Sequence, residues 1–206
     1  MSKLIALTFD DGPNTITTPQ VFEKIKKYGI TATFFVIGDE INEESSKIMK
    51  EYHEYGCEIA NHSKTHSDMT KLSREAIKEE LAYTDMKVME ITGYKPRFFR
   101  PPYILTNETM FEAIDLPFIC GEGAEDWVLE VKAQERARRI IDTAKNGGII
   151  LLHDLKGNDE TVKALDTIIP ALKDEGFEFV NISDLFARLS ATPKAHSGII
   201  YSNVYD

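Results

Sequence analysis

The chain has little cysteine, two in 206 residues, at Cys57 and Cys120. Both sit in apolar, strand-like runs, which reads as two buried free thiols and excludes a disulfide framework. Long apolar runs are missing as well. No window approaches the ~20 consecutive apolar residues that a spanning helix needs, so no membrane partner is expected. Positive charge is scarce: 24 Lys and Arg against 34 Asp and Glu leave a formal net charge of −10. Nucleic acid and anionic lipid surfaces are polyanions, and the imbalance argues against both. A neutral polymer meets no such repulsion. Low-complexity tracts, Gly/Ser-rich or Pro-rich linkers and internal repeats are also lacking, which leaves one folded domain over 1–206 with a loose tail from about Ala191. The stretch from Met1 to Asp10 leaves no room for a signal segment before the first apolar strand. The protein is therefore expected to be cytoplasmic, or secreted with an export segment absent from this chain.

What is present is a strand and helix rhythm. Apolar runs rich in β-branched and aromatic residues recur at 4–9, 31–37, 57–61, 97–99, 117–121, 148–153 and 177–181. Helical patterns fall between them at about 17–29, 43–56, 73–93, 107–114, 132–146, 159–176 and 183–189, several closing on Gly or Asn. The aromatic and methionine content of the helix after Ser73, including Tyr83, Met86 and Met89, reads as core packing. Regular alternation with short joins means an α/β fold, a parallel sheet buried by helices. Such a pattern fits either an open doubly wound sheet or a barrel. The unusual polar residues choose between them: Asp10 and Asp11 end the first strand, His62 the third, Arg100 the fourth and His153 the sixth, while Asp126 follows the fifth. A barrel gathers groups from many strand ends onto one rim, whereas an open sheet concentrates them at a switch point.

Those residues can do hydrolytic chemistry. His62 and His66 are four apart, so on a helical turn their rings point the same way, and Asp11 adds a carboxylate. Two imidazoles and one carboxylate make a three-ligand site with an open position for a divalent metal. Asp10 and Asp11 precede Gly12-Pro13, which forces a tight bend, and neighbours at a strand end point different ways. Arg100, before Pro101-Pro102, carries a guanidinium suited to clamping a carboxylate. His153 closes an apolar strand. Trp127, the only tryptophan, is either core or a platform for a sugar face. His53 and His196 have no partner in this set.

Five segments, Thr8-Phe9-Asp10-Asp11-Gly12-Pro13, His62-Ser63-Lys64-Thr65-His66, Arg100-Pro101-Pro102-Tyr103, Asp126-Trp127 and Leu151-Leu152-His153-Asp154, together resemble the polysaccharide deacetylase family. That family includes chitin deacetylases, peptidoglycan N-acetylglucosamine deacetylases and acetylxylan esterases, and the resemblance covers roughly residues 3–185. It implies a distorted, incompletely closed (β/α) barrel of about seven parallel strands. It also implies a metal-dependent hydrolase that removes N-acetyl or O-acetyl groups from a polysaccharide or oligosaccharide by attack of a metal-bound water. In that pattern Asp10 is the general base, held by Arg100, and Asp11, His62 and His66 are the metal ligands. His153 is the catalytic acid with Asp126 as its partner. The Tyr103 N–H meets the developing oxyanion, the Tyr103 ring and Trp127 line the sugar groove, and Leu151 lines the pocket for the acetyl methyl. Zinc is the expected ion, though such a site also accepts cobalt or another divalent ion. One position departs from the pattern: where members often carry a further Asp three residues before Asp126, this chain has Gly123, which bears on groove shape. Hydrolysis of another small amide or ester on the same barrel, and a silent carbohydrate-binding protein, are the rival readings. Retention of Asp10 and His153 argues against silence, because binding alone needs neither.

Overall fold

Every residue of β1 (Lys3–Asp10) after Lys3 is buried, as a central parallel strand covered on both faces requires. The computed structural model describes residues 3–206, so Met1 and Ser2, on which the reading of the chain's start partly rests, lie outside the described residues. One edge of β1 is taken along Ile5 to Asp10 by β6 (Gly148–His153). The other edge is shared, with β7 (Phe177–Val180) paired to residues 3–6 and β2 (Thr33–Val36) to residues 8–10. All of these pairs are parallel, and β3 (Glu58–Asn61) extends the sheet beyond β2.

The two faces of β1 separate cleanly, as the period of two dictates. Ile5, Leu7 and Phe9 pack outward against α1 (Thr17–Tyr28) and α6 (Asp159–Asp174), through Val21, Ile25, Leu165 and Ile168. Leu4 and Ala6 point the other way, into an inner cluster with Phe35, Ala60, Ile119 and Ile149. Continuing that alternation, Thr8 and Asp10 face inward. The sequence periodicity therefore aims Asp10 into the barrel.

Past β3 the wall becomes irregular. The strand expected at 97–99 contracts to Phe99 alone, bridged to Asn61 on one side and Phe118 on the other. Pro96, Pro101 and Pro102 flank it and cannot donate to a ladder. The run at 117–121 yields one short strand, β4 (Phe118–Ile119), and a second, β5 (Glu122–Gly123), follows just beyond it and pairs with β6. The expected loose tail is corrected by the structure. β8 (Ile200–Tyr201) pairs with β4, Cys120 N donates to Tyr201 O and Ile149 N to Ser202 O. The C-terminal segment thus fills part of the opening between β4 and β6, with Tyr201 and Val204 each 5% exposed. Two residues of strand are too few to register as a periodic signal; the pairing exists because β4 otherwise leaves an open edge.

The remaining helices are α2 (Ser45–Glu54), α3 (Arg74–Thr92), α4 (Glu108–Ala113), α5 (Ala133–Thr143) and α7 (Ile182–Arg188). α3 starts on Ser73, whose hydroxyl accepts from Ala76 N, and stops at Gly93 in the left-handed conformation. Its buried face is Ile77, Leu81, Thr84 and Val88, while Met86 and Met89 are exposed, so the methionines are surface residues and not core as expected. Among the described residues no helix is long and apolar enough to cross a membrane.

Candidate metal and active centre

The inward alternation of β1 brings Asp10 to the rim as a buried carboxylate beside His153, its neighbour in the β1–β6 register. Arg100 meets it from the strand remnant after Phe99. Arg100 Nη1 donates to Asp10 Oδ1 at 2.5 Å and to Thr8 Oγ1 at 2.9 Å. Nη2 and Nε donate to the carbonyls of Cys120 and Ile119, and the guanidinium lies 4.0 Å above the Phe35 ring. Arg100 thus meets Asp10 through one nitrogen, while the others serve the barrel wall. Thr8 belongs to this unit and was missed in the sequence reading. Its signal was a hydroxyl on the inward face of an otherwise apolar strand, where it donates to Ile150 O and so offers Arg100 a lone pair.

Asp11 leaves the strand at φ 74°, a left-handed conformation that aspartate tolerates better than most residues. That turn separates its carboxylate from that of Asp10. His66 is brought back by a loop and not by the helical turn expected: Ser63 has φ 67° and His66 φ 56°. Local bonds hold the loop, with Ser63 N donating to Asn61 Oδ1 at 2.8 Å and His66 N to Ser63 Oγ at 3.0 Å. Lys64 N and Thr65 N both donate to Glu80 on α3. Fixed this way, Asp11 Oδ1 lies 3.5 Å from His62 Nε2 and 3.4 Å from His66 Nε2.

These three residues fit a metal ion. Two ligands at ~2.1 Å from a tetrahedral ion stand about 3.4 Å apart, which is the spacing found. Asp11 Oδ1 is buried and has no hydrogen-bond partner among the described residues, a costly orphan unless a cation satisfies it. His62 Nδ1–H donates to Arg100 O at 2.7 Å, which fixes the tautomer and leaves Nε2 as a lone pair turned toward Asp11. Burial and the neighbouring His62 ring hold the His66 pKa down, which favours the neutral imidazole. Burial opposes ionisation of Asp11, but the adjacent His62 imidazole, with His153 and His66 behind it, outweighs it and holds that carboxyl below its usual range.

Across the cavity, His153 Nδ1–H donates to Asp126 Oδ1 at 2.7 Å and its backbone N–H to Asp126 Oδ2 at 2.8 Å. Asp126 is buried and also accepts from Thr161 Oγ1 at 2.7 Å and Asn158 Nδ2 at 3.3 Å. Four donors converge on one carboxylate. Burial by itself lowers the His153 pKa; the hydrogen bond and charge of Asp126, followed by the charges of Asp10 and Asp11, reverse this and push it up to about 9. Asn158 and Thr161 carry no motif signal and were missed in the sequence reading, since only the packing of α6 against this loop brings them to Asp126.

Between the two halves lies an open cavity of about 510 Å³, lined by Asp10, Asp11, His153, Leu151, Tyr103 and Trp127 among others. Trp127 is 55% exposed and meets His153 edge-on at 5.4 Å, so it is a wall of the cavity and not core. Tyr103 is 62% exposed, packs on His66 at 4.6 Å, and sits at φ 58°. A bulky residue at positive φ is strained and is held there by its surroundings. At Gly121 a Cβ would come within 2.9 Å of Ile149 O, so the wall there admits only glycine. At Gly123 a Cβ would meet nothing nearer than 3.6 Å. A side chain would fit, and its lack leaves that wall low. Of the other histidines, His196 bonds Phe111 O and Asp115 on the surface, and His53 packs beside Tyr94. Neither reaches the cavity. Cys57 is buried, with burial pushing its thiol up to about 12, and Cys120 is a half-buried free thiol on the cavity wall.

Comparison with known proteins gives consistent matches. The family profile described as "Polysaccharide deacetylase" matches residues 1–116. A bifunctional xylanase/deacetylase from Pseudobutyrivibrio xylanivorans is 45% identical over 202 residues, covering 98% of this chain and 33% of that protein. Among solved structures, the Xyl-CE4 domain of a multidomain xylanase from the hindgut metagenome of Trinervitermes trinervoides has a TM-score of 0.97 at 43% identity, covering 100% of this chain and 99% of that one. A family 4 acetyl xylan esterase from Clostridium thermocellum, solved in complex with a cobalt ion, has a TM-score of 0.95 at 39% identity, covering 98% and 99%. The chain spans a third to two fifths of the length of the first curated relatives it matches.

Proposed function

The chain belongs to the polysaccharide deacetylase family, and on that footing we propose that it hydrolyses acetyl groups on a polysaccharide or oligosaccharide, with the O-acetyl esters of a xylan as substrate. One observation carries the reading: a triad fitted to a divalent ion, Asp11, His62 and His66, shares one cavity with a clamped carboxylate, Asp10, and a carboxylate-paired imidazole, His153. The choice of xylan is supported by the xylan-directed names of the relatives at 39–45% identity.

When bound, a divalent ion, for which zinc is our choice, lowers the pKa of a water and polarises a carbonyl. The chain's own residues do the rest. Asp10 takes the proton of the attacking water, and Arg100 keeps its carboxylate aimed into the cavity and offsets its charge. The Tyr103 backbone N–H faces the oxyanion that develops on the acetyl carbonyl. With Nδ1 committed to Asp126, His153 presents Nε2 to the leaving sugar oxygen and gives it a proton. Leu151 lines the pocket for the methyl group, while Tyr103 and Trp127 flank the sugar, and residues 1–206 act as one catalytic domain. The low wall at Gly123 suits a polymer that continues past the cleft.

Acetate release by the purified, zinc-loaded protein tests this on acetylxylan, chitin oligosaccharides and peptidoglycan fragments. Release from acetylxylan is expected to be fastest. Release only from the N-acetylated polymers would overturn the substrate, and no release from any with metal bound would overturn the activity.

A further inference from the structure

α5 carries an arginine on its apolar face. Arg136 lies one turn from Ala133 and Ile140 on the side that packs against α6, and it is 1% exposed. Among the described residues no carboxylate lies within ion-pair distance of it. Burying a guanidinium without a direct counter-ion is costly, and a leucine or methionine would fill that face without the cost. Stability of the helix pair therefore does not account for it.

Its hydrogen bonds do. Nη1 donates to Asn158 Oδ1 at 2.5 Å and to Thr161 Oγ1 at 2.8 Å. Both acceptors are the residues that donate to Asp126 Oδ2. Because Asn158 turns its oxygen to Arg136, its Nδ2 must face Asp126 and the His153 carbonyl, the latter at 2.9 Å. Because the Thr161 oxygen accepts from Arg136, its proton is left for Asp126. The other edge of the guanidinium holds the loop that carries Trp127: Nε donates to Val131 O at 2.7 Å and Nη2 to Val128 O at 3.2 Å. One buried side chain thus fixes both the donor set around Asp126 and the backbone next to the Trp127 wall.

We propose that Arg136 is a positioning residue for the proton-donating step, acting through Asn158 and Thr161 on Asp126 and so on the orientation of the His153 ring. The inference rests on the reading of His153 as the acid. Arg136 touches neither the substrate nor the three metal-fitted residues. Its loss lets the Asn158 amide turn over and releases the Thr161 proton, so that Asp126 loses donors and His153 loses its fixed direction. Among the described residues the water-activating half, Asp10 and Arg100, shares no hydrogen bond with this unit.

The test is the dependence of rate on leaving group. A sugar alkoxide leaves slowly unless protonated, whereas p-nitrophenolate leaves without help. The protein, its His153→Ala variant and its Arg136→Met variant are assayed, zinc-loaded, on acetylated xylo-oligosaccharides and on p-nitrophenyl acetate. Arg136→Met is expected to lose on the order of 10- to 100-fold in kcat on the sugar ester. On the aryl ester it should lose less than about threefold, with zinc content unchanged, following the direction of His153→Ala. Equal loss on both esters in Arg136→Met, with the split present in His153→Ala, overturns the role of Arg136 alone. No split in His153→Ala overturns the acid assignment and this inference with it. If Arg136→Met does not fold, Thr161→Val, which cuts one link of the relay and keeps the arginine, decides by the same ratio: a split supports the relay and equal losses overturn it.

Discussion

Asp126→Asn isolates the charge that governs His153. All four groups facing Asp126 are donors: the His153 backbone N–H and Nδ1–H, Thr161 Oγ1–H and Asn158 Nδ2–H. Asparagine offers one oxygen to a site built for two, and its NH₂ confronts at least one donor. The neutral imidazole, which can accept at Nδ1, becomes the favoured partner. In the metal-free protein the His153 pKa is pushed up to about 9. The gap from the ordinary histidine value of about 6.5, at 1.36 kcal/mol per pH unit, corresponds to about 3.4 kcal/mol favouring the imidazolium. Removing Asp126 leaves burial as the largest influence, and burial acts downward. Imidazole NMR titration of chelated protein should therefore show His153 near 9 in the parent and at distinctly lower pH in Asp126→Asn, where only the charges of Asp10 and Asp11 still oppose burial. Stability follows by linkage. A raised folded pKa contributes fully below about pH 6.5 and is lost as pH rises through about 9, so the parent should lose stability over that window relative to the variant. In the metal-loaded enzyme the alkaline limb of kcat should move to lower pH in the variant, with metal content unchanged. A His153 resonance that titrates at the same pH in both proteins would refute the reasoning.

Chelation should abolish acetate release and one divalent ion per chain should restore it, whereas His62→Ala and His66→Ala should each fail to retain the ion; elemental analysis showing full occupancy in either would remove that residue from the site. Asp10→Asn should keep the ion and lose on the order of 10² to 10⁴ in rate, while Asp11→Asn should lose the ion, so equal affinities and equal rates in the two would end the division between them. Gly12→Ala places a Cβ 2.5 Å from Asp154 Oδ2, against a buried carboxylate that also accepts from Thr18 Oγ1. Urea unfolding should show a loss of about 1–3 kcal/mol from this overpacking. Tyr201→Ala should cost about 3 kcal/mol if the C-terminal segment is part of the barrel wall, and an unchanged unfolding midpoint would make that segment dispensable.

The helices and the central strands were legible in the sequence because their signals are local. A period of two in β1, helical spacing between glycines, and polar residues following apolar runs are properties of neighbouring residues, and they brought Asp10, Asp11, His62, His66, Arg100 and His153 to notice before any geometry. Tertiary structure decided what neighbours along the chain cannot. Asp10 and Asp11 are adjacent in sequence, and only the left-handed turn at Asp11 and the arrival of Arg100 from 90 residues away separate them. The spacing of His62 and His66 suggested a helical turn, yet Glu80 of α3 holds a loop there instead. Thr8 looks like an ordinary strand residue until Arg100 reaches it, and Arg136, Asn158 and Thr161 carry no signal until α5 and α6 pack behind Asp126. The short strand at Ile200–Tyr201 exists because β4 leaves an edge to be filled. Periodicity and punctuation are written in consecutive residues. Which buried donor meets which acceptor depends on how strands, helices and loops distant in sequence pack together, and that is a property of the whole chain.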